Sequence, residues 1–321
     1  MQDIPKTLLN SSPIVILGAG SIGVAFSAAF SEAGAQVLLV DPDVARRDAV
    51  PTALAHQHQA ITTAGLSKDT AGTVVVTAAP DDHLRTAALV LECGPENLEA
   101  KQGIFTKLLR ETGPETVLAT ASSAITISLI VPDKAEQARC LVAHPVNPPS
   151  ILRVIELVPA AGTDQRFTTK AAQLFSAAGF ATVELGHEIE GFVLNRLQGA
   201  VLREAYRLVA EGVTDVAGID AIMRLGLGPR WALSGPFETA ELNTPGGIGA
   251  HAARMGPAYK RMGEARGETV DWTDALVARV TAERREFLQE QDIPARVAWR
   301  AQAVAQLIAA RDKLLDESDD D

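Results

Sequence analysis

His144 and Glu156 stand twelve positions apart in "LVAHPVNPPSILRVIELV" (141–158), each within an apolar, strand-like run, with a proline-rich turn between them. A polar group buried alone costs roughly 2–7 kcal/mol, and an isolated charge costs more. Each is therefore a candidate partner for the other. A carboxylate on one ring nitrogen of an imidazole fixes the tautomer and stabilises the imidazolium, which makes such a pair an acid–base device. On this stretch alone the plainer reading is a histidine that caps a turn and a glutamate on the surface of an edge strand.

A second group with chemical meaning is "GAGSIG", in which Gly18, Gly20 and Gly23 form a G-x-G-x-x-G pattern. It follows an apolar strand-like run and opens a helical one, the context in which the pattern binds a dinucleotide. The first glycine permits a tight turn, the second lets the backbone approach a pyrophosphate, and the third allows close helix–strand packing. Backbone N–H groups at the helix start, from Gly20, Ser21, Ile22 and Gly23, would meet the phosphates. Asp41 ends the next strand, where an acid accepts hydrogen bonds from the adenosine ribose and repels a 2′-phosphate. NAD is therefore expected over NADP. A helix N-cap is the structural alternative for Asp41.

The elements that must position these residues alternate in the first half. Strands are expected over 13–18, 35–41, 74–79, 87–93, 116–121, 138–144 and 153–158. Helices are expected over Ser21–Ala33, after Pro42, over Leu98–Glu111 and over Gln165–Ala178. Such alternation predicts a parallel sheet covered on both faces, a Rossmann-type α/β domain over residues 1–188. From Gly191 onward only helices are expected. Val193, Leu197, Val201, Ala205 and Leu208 recur at helical spacing, and "TDVAGIDAIMRLGLG" starts at a Thr or Asp cap and stops at glycine. Further helices are expected over Ile248–Met262, Thr273–Gln289 and Pro294–Leu315. This defines an all-helical domain over 189–315, followed by an acidic tail, 316–321, that reads as frayed. The apolar residues of "GFVLNRLQGAVLREAYRLV" exceed what a modest helical domain needs to cover, so a second copy is expected against it.

Composition narrows the partners. The 321 residues suffice for two domains, and 47% are hydrophobic. The net charge of −11 argues against nucleic acid and anionic membranes. No apolar run reaches the ~18–20 residues of a membrane span, and the N-terminus lacks the basic-then-apolar pattern of a signal peptide. With only Cys93 and Cys140, a reducing cytoplasm is the expected compartment. No metal is expected; "HQH" (His56–His58) comes nearest to ligand spacing and reads as a solvated helix face.

Taken in order, "IVILGAGSIG", "PENLEAK", "ASSAITIS", "AHPVNPP", "VIELVP", "GFVLNRLQ" and "GLGPRWALSGPFETAELN" cover most of residues 13–245. With them the chain resembles the 3-hydroxyacyl-CoA dehydrogenase superfamily, and within it the lambda-crystallin branch, whose enzyme members are L-gulonate 3-dehydrogenases. The resemblance implies a Rossmann-type domain followed by a helical domain that makes a dimer. It implies that His144 is the general base and Glu156 orients it. It implies that Ser123 (with Ser122 a near-equivalent choice) and Asn195 hold the substrate oxygen. Asn147 would lie near the nicotinamide, and Glu96 and Lys101 would contact the cofactor; without the resemblance those two read as a solvated helix face. The expected reaction is NAD-dependent oxidation of the 3-hydroxyl of a small hydroxy acid such as L-gulonate. An L-3-hydroxyacyl-CoA or L-carnitine dehydrogenase is the alternative, and an NAD-binding structural protein of the lens-crystallin kind is the alternative of another class. The segment between Asp41 and Glu96 is shorter than in the animal lambda-crystallin proteins; in acyl-CoA-active relatives it forms part of the thioester-carrier site. Arg230, in a loop before Gly235–Pro236–Phe237, is a candidate for the substrate carboxylate, because a guanidinium meets a carboxylate with two parallel hydrogen bonds. Its structural alternative is an ion pair with Glu238 or Asp220.

Overall fold

The apolar runs of the first half pair into one eight-stranded sheet in the computed structural model, which describes residues 9, 11–68, 72–233, 235–245, 247–266, 275, 282 and 289–316. The strands are β1 (Ile14–Leu17), β2 (Gln36–Val40), β3 (Thr73–Thr77), β4 (Leu89–Glu92), β5 (Val117–Thr120), β6 (Cys140–Pro145), β7 (Val154–Pro159) and β8 (Ala181–Glu184). Their order is β3-β2-β1-β4-β5-β6-β7-β8. Side chains alternate between two cores, as a two-sided sheet requires. Ile14, Ile16, Leu89, Leu91, Leu141 and Ala143 face one core with Phe26, Phe30 and Phe175. Val15, Val90, Leu118, Val142 and Val158 face the other with Phe105, Ile127 and Phe192.

The sheet departs from the all-parallel expectation at one end. β6 and β7 are antiparallel, with β8 parallel to β7. The connection from β6 to β7 is a turn of eight residues (146–153) with no crossover helix, and so short a link returns the chain antiparallel. β8 was not anticipated: "ATVE" is brief and mostly exposed, too weak a pattern to stand out. Its presence covers β7 on the outer side, so Glu156 does not lie on an edge strand.

Helices α1 (Ser21–Glu32), α2 (Val44–Thr63), α3 (Leu98–Glu111), the single turn α4 (Ile127–Ile130) and α5 (Gln165–Ala177) link these strands. Asp43, Asn97 and Asp164 cap α2, α3 and α5 through side-chain oxygens. α1, whose N-cap is Gly20, has no side-chain cap.

The described residues divide into two compact units, one within Met1–Arg196 plus Ala301–Ala309, the other within Leu197–Arg300 plus Ala310–Asp321. Beyond β8 the regular elements among the described residues are helices: α6 (Leu194–Ala210), α7 (Val216–Ile222), α8 (Gly228–Leu233), α9 (Pro236–Leu242), α10 (Gly247–Arg266) and α11 (Ile293–Asp316). Asp215 caps α7 by accepting from Gly218 N–H, as one of the two expected caps. The chain does not stop at the following glycines. A π-helical turn, Met223–Leu227, carries it through Gly226 into α8, because a glycine costs a helix only about 1 kcal/mol and its neighbours keep helical angles. Arg230 therefore sits on a helix rather than in a loop. Most of the helix expected over Thr273–Gln289, and the tail beyond Asp316, lie outside the described residues.

Candidate active site

The antiparallel β6–β7 pair brings the two opening residues together. His144 and Glu156 are directly opposite in register, so their side chains emerge on the same face as Val142 and Val158. His144 Nδ1 lies 2.7 Å from Glu156 Oε2, and both side chains are buried. The other oxygen, Oε1, accepts the backbone N–H groups of Val193 (2.8 Å) and Leu194 (2.9 Å) at the start of α6. Burial raises the Glu156 pKa, but the His144 hydrogen bond and the Leu194 and Val193 N–H groups outweigh it, and the carboxyl lies below its ordinary value. An ionised Glu156 accepts a hydrogen bond from Nδ1–H, and the tautomer so fixed leaves the Nε2 lone pair of His144 available; Nε2 has no hydrogen bond to a described residue. Phe192 packs on the imidazole with ring centroids 5.3 Å apart. Its φ of +49° lies in the left-handed region, rare for an aromatic residue. Turning the chain there aims two successive N–H groups at Glu156. Phe192 was not singled out in the sequence, since "GF" before a helix gives no sign of positive φ.

β1, β4, β5 and β6 are mutually parallel, so their C-terminal ends share one edge of the sheet. The glycine loop sits there. Gly18 has φ +109°, and a Cβ on it would meet Cys93 O at 2.7 Å. A Cβ on Gly23 would meet Gly18 O at 1.9 Å, so the third glycine is required by helix–strand contact. Beside Gly20, by contrast, no heavy atom lies within 4 Å of an added Cβ. Open space at Gly20, together with uncapped N–H groups on Ser21, Ile22 and Gly23, fits a pyrophosphate. Asp41 is buried at the end of β2. Its Oδ2 accepts from Ala19 N–H (2.8 Å) and its Oδ1 from Asp43 N–H (2.9 Å), which ties the glycine loop to β2. The α2 cap is Asp43 rather than Asp41. Arg46 approaches Asp41 Oδ2 at 3.8 Å, and Arg47 donates to the Asp41 and Pro42 carbonyls.

Between these two groups lies the turn that carries Ser122 and Ser123. The structure separates the near-equivalent serines. Ser122 is buried; its hydroxyl donates to Glu96 Oε1 (2.6 Å) and accepts from Ile125 N–H (2.7 Å). Ser123 is exposed, and its hydroxyl bonds no described residue. Asn195 Nδ2 donates to the Ser123 carbonyl at 3.0 Å. Glu96 Oε1 also accepts from Ser123 and Ala124 N–H, both at 3.1 Å. Burial raises the Glu96 pKa, but the Ser122 hydrogen bond, the Lys101 charge and the two N–H groups bring it below the ordinary value. Lys101 is not on a solvated face: only 1% of its side chain is exposed, with Nζ 2.8 Å from Glu92 Oε2 and 3.5 Å from Glu96 Oε2. Glu92 and Thr120, which complete this cluster, were missed because strand ends of the type "VLE" and "LAT" carry no distinguishing pattern.

Asn147 is exposed on the β6–β7 turn, which Ser150 anchors by a hydrogen bond to Gln57 of α2. Arg230 is exposed, with Nε donating to Gly226 O at 3.3 Å within its own helical path. Among the described residues no group of His, Cys, Asp and Glu could hold a metal ion, and no helix is long and apolar enough to cross a membrane.

Family comparisons agree with this geometry. Residues 13–189 match the NAD binding domain of 3-hydroxyacyl-CoA dehydrogenase, and residues 191–286 match its C-terminal domain. A lambda-crystallin homolog of Bos taurus is 32% identical over 315 residues, 95% of this chain and 98% of that protein. An L-carnitine dehydrogenase of Streptomyces griseus is 30% identical over 94% of this chain and 90% of its own. Among solved structures, an NAD+-dependent 5-formyl-3-hydroxy-2-methylpyridine 4-carboxylic acid 5-dehydrogenase superposes with a TM-score of 0.76 at 25% identity, covering 92% of this chain and 98% of that one. With both domain models matched in order and a dinucleotide loop built to receive the cofactor, the chain belongs to the 3-hydroxyacyl-CoA dehydrogenase family and is an NAD-dependent dehydrogenase.

Proposed function

We propose that the chain oxidises the 3-hydroxyl of a small hydroxy acid, with a sugar acid such as L-gulonate as substrate. The observation that carries the mechanism is the His144–Glu156 contact of 2.7 Å, with Nε2 bonded to no described residue. Bound NAD would supply the acceptor for the hydride that leaves the carbon bearing the hydroxyl. His144 Nε2 takes the hydroxyl proton, and the Nδ1–H stays on His144 and donates to Glu156, whose negative charge stabilises the imidazolium. The Ser123 hydroxyl and the Asn195 amide hold the oxygen as it becomes a carbonyl. Asp41 would receive the adenosine ribose, Gly18 to Gly23 the pyrophosphate and Asn147 the nicotinamide end, with Glu96 a further contact to the cofactor; Lys101, with 1% of its side chain exposed, acts on the cofactor only by holding Glu96. General-base help of this kind contributes ~10²–10⁴-fold, with orientation supplying much of the rest.

A small acid is favoured over an acyl-CoA by the likeness to lambda-crystallin homologs and by the region between β2 and β3, in which the described structure has the single helix α2. Arg230 is assigned to the substrate carboxylate, with domains at 1–188 and 189–315 and a homodimer formed by the helical one. The test is a panel of L-gulonate, 3-hydroxybutyrate, L-carnitine and a 3-hydroxyacyl-CoA, read by NADH absorbance. The proposal holds if the sugar acid gives the highest kcat/KM and fails if the thioester or carnitine does. No turnover of any of them would favour the structural-protein role.

A further inference from the structure

The fully buried Glu92 and Thr120 have no part in the mechanism above. They are register neighbours at the ends of β4 and β5, the strands that lead to the Glu96 loop and to the serine turn. Neither side chain reaches the surface, so neither touches substrate or cofactor. A threonine hydroxyl offers one donor and two acceptor lone pairs. Here all three are used: Thr120 Oγ1 donates to Glu92 Oε2 (2.6 Å) and accepts from Ser122 N–H (3.2 Å) and Lys101 Nζ (3.4 Å). The second Glu92 oxygen accepts Gly94 N–H at 2.7 Å.

Two routes run from Glu92 to the same turn. One passes through Thr120 to the Ser122 N–H. The other passes through Lys101 to Glu96, whose Oε1 gathers the Ser122 hydroxyl and the Ser123 and Ala124 N–H groups. Two carboxylates share one ammonium, and Glu92 holds it more closely, at 2.8 Å against 3.5 Å. Glu96 is then left with negative charge that the three donors of the serine turn satisfy. If the cluster served stability alone, apolar residues of similar volume would serve as well or better, because a buried ion pair contributes little net stability. What the cluster supplies instead is a fixed position for an exposed turn.

We propose that Glu92 and Thr120 are positioning residues that hold the Ser122–Ser123 turn so that the Ser123 hydroxyl meets the reacting oxygen. The proposal rests on the role given to Ser123 above. The test is a double-mutant cycle on the full chain, with kcat and the KM for NAD measured well below each variant's Tm. Thr120→Val, which keeps the volume and removes the hydroxyl, is expected to lower kcat roughly 10–100-fold with the KM for NAD changed by less than about 3-fold. Thr120→Ser should recover most of that loss. In a Ser123→Ala background Thr120→Val should add nothing further, since both act through one hydroxyl. Wild-type kcat in Thr120→Val, losses that multiply in the double variant, or no recovery in Thr120→Ser would each overturn the proposal while leaving Ser123 in place. Wild-type turnover in Ser123→Ala would remove the Ser123 role itself, and this proposal with it. If Thr120→Val does not fold, Glu92→Gln is judged by the same cycle.

Discussion

Glu156 bonds one nitrogen of His144 and leaves the other available for the proposed proton transfer, and two backbone N–H groups hold the far oxygen of Glu156 in place. His144→Ala is expected to lose at least ~10²-fold in turnover with NAD affinity retained, measured by kcat and by NAD titration. Glu156→Gln should lose turnover too, since an amide does not stabilise the imidazolium. The same carboxyl shapes the acid stability of the fold. Its pKa is depressed in the folded chain, so the stability it contributes is present above its ordinary value of 4.5 and is lost as pH falls through the folded value. Denaturant unfolding between pH 6 and 3 should therefore show a fall below about pH 4.5 that is shallower in Glu156→Gln than in wild type. Asp41 is a residue-scale prediction of another kind. Its carboxylate faces the Ala19 and Asp43 N–H groups and repels a 2′-phosphate, so the chain should prefer NAD strongly, and Asp41→Ala should narrow the NAD-to-NADP ratio of kcat/KM. Equal use of both cofactors by the wild type would contradict this.

At the scale of elements, the glycine loop separates packing from ligand access within six residues. Gly23→Ala forces a Cβ against Gly18 O and should lower Tm markedly, weakening NAD because the turn itself is displaced. Gly20→Ala meets nothing inside the protein and should lower Tm by only about 2–4 °C, the effect of the roughly 1 kcal/mol by which alanine is the poorer helix N-cap. It should nonetheless raise the Kd for NAD, by crowding the pyrophosphate. Differential scanning fluorimetry and calorimetric titration on the pair check this; matching losses of Tm would show that Gly20 is also a packing position. The β6–β7 hairpin works by register. A one-residue slip would send His144 and Glu156 to opposite faces. The Ser150–Gln57 bond and the left-handed Phe192 hold the two ends of this arrangement in place.

For the whole molecule, the described helices present exposed apolar side chains. Leu197 is 61% exposed, with Val201 and Leu202 beside it on α6. A second copy is the expected cover, and light scattering at micromolar concentration should give a dimer mass, shifted toward monomer by Leu197→Asp. A monomer in the wild type would refute it. The proposed reading of substrate charge rests on Arg230. Arg230→Met should cost an acid substrate about 2–4 kcal/mol in kcat/KM and cost its neutral amide far less. Equal losses on both, with a lowered Tm, would leave Arg230 a structural role only.

The sequence by itself determined the strand–helix alternation, the glycine loop with its acid at Asp41 and the shift to helices near Gly191, and it marked His144 and Glu156 only as candidate partners, a pairing that the 2.7 Å contact shows. All of these are short-range patterns: period, spacing, and a polar residue inside an apolar run. Only the tertiary structure decided that β6 and β7 run antiparallel and that β8 covers Glu156, because strand pairing depends on which distant run lies alongside. It alone separated Ser122 from Ser123, since adjacent serines differ only in which one faces Glu96. It drew Lys101 inward onto Glu92, where a helical pattern read for solvent exposure cannot see a carboxylate nine residues away on a neighbouring strand. It also placed Phe192 at positive φ over His144, a strained conformation that the side chain disfavours and the surrounding contacts impose.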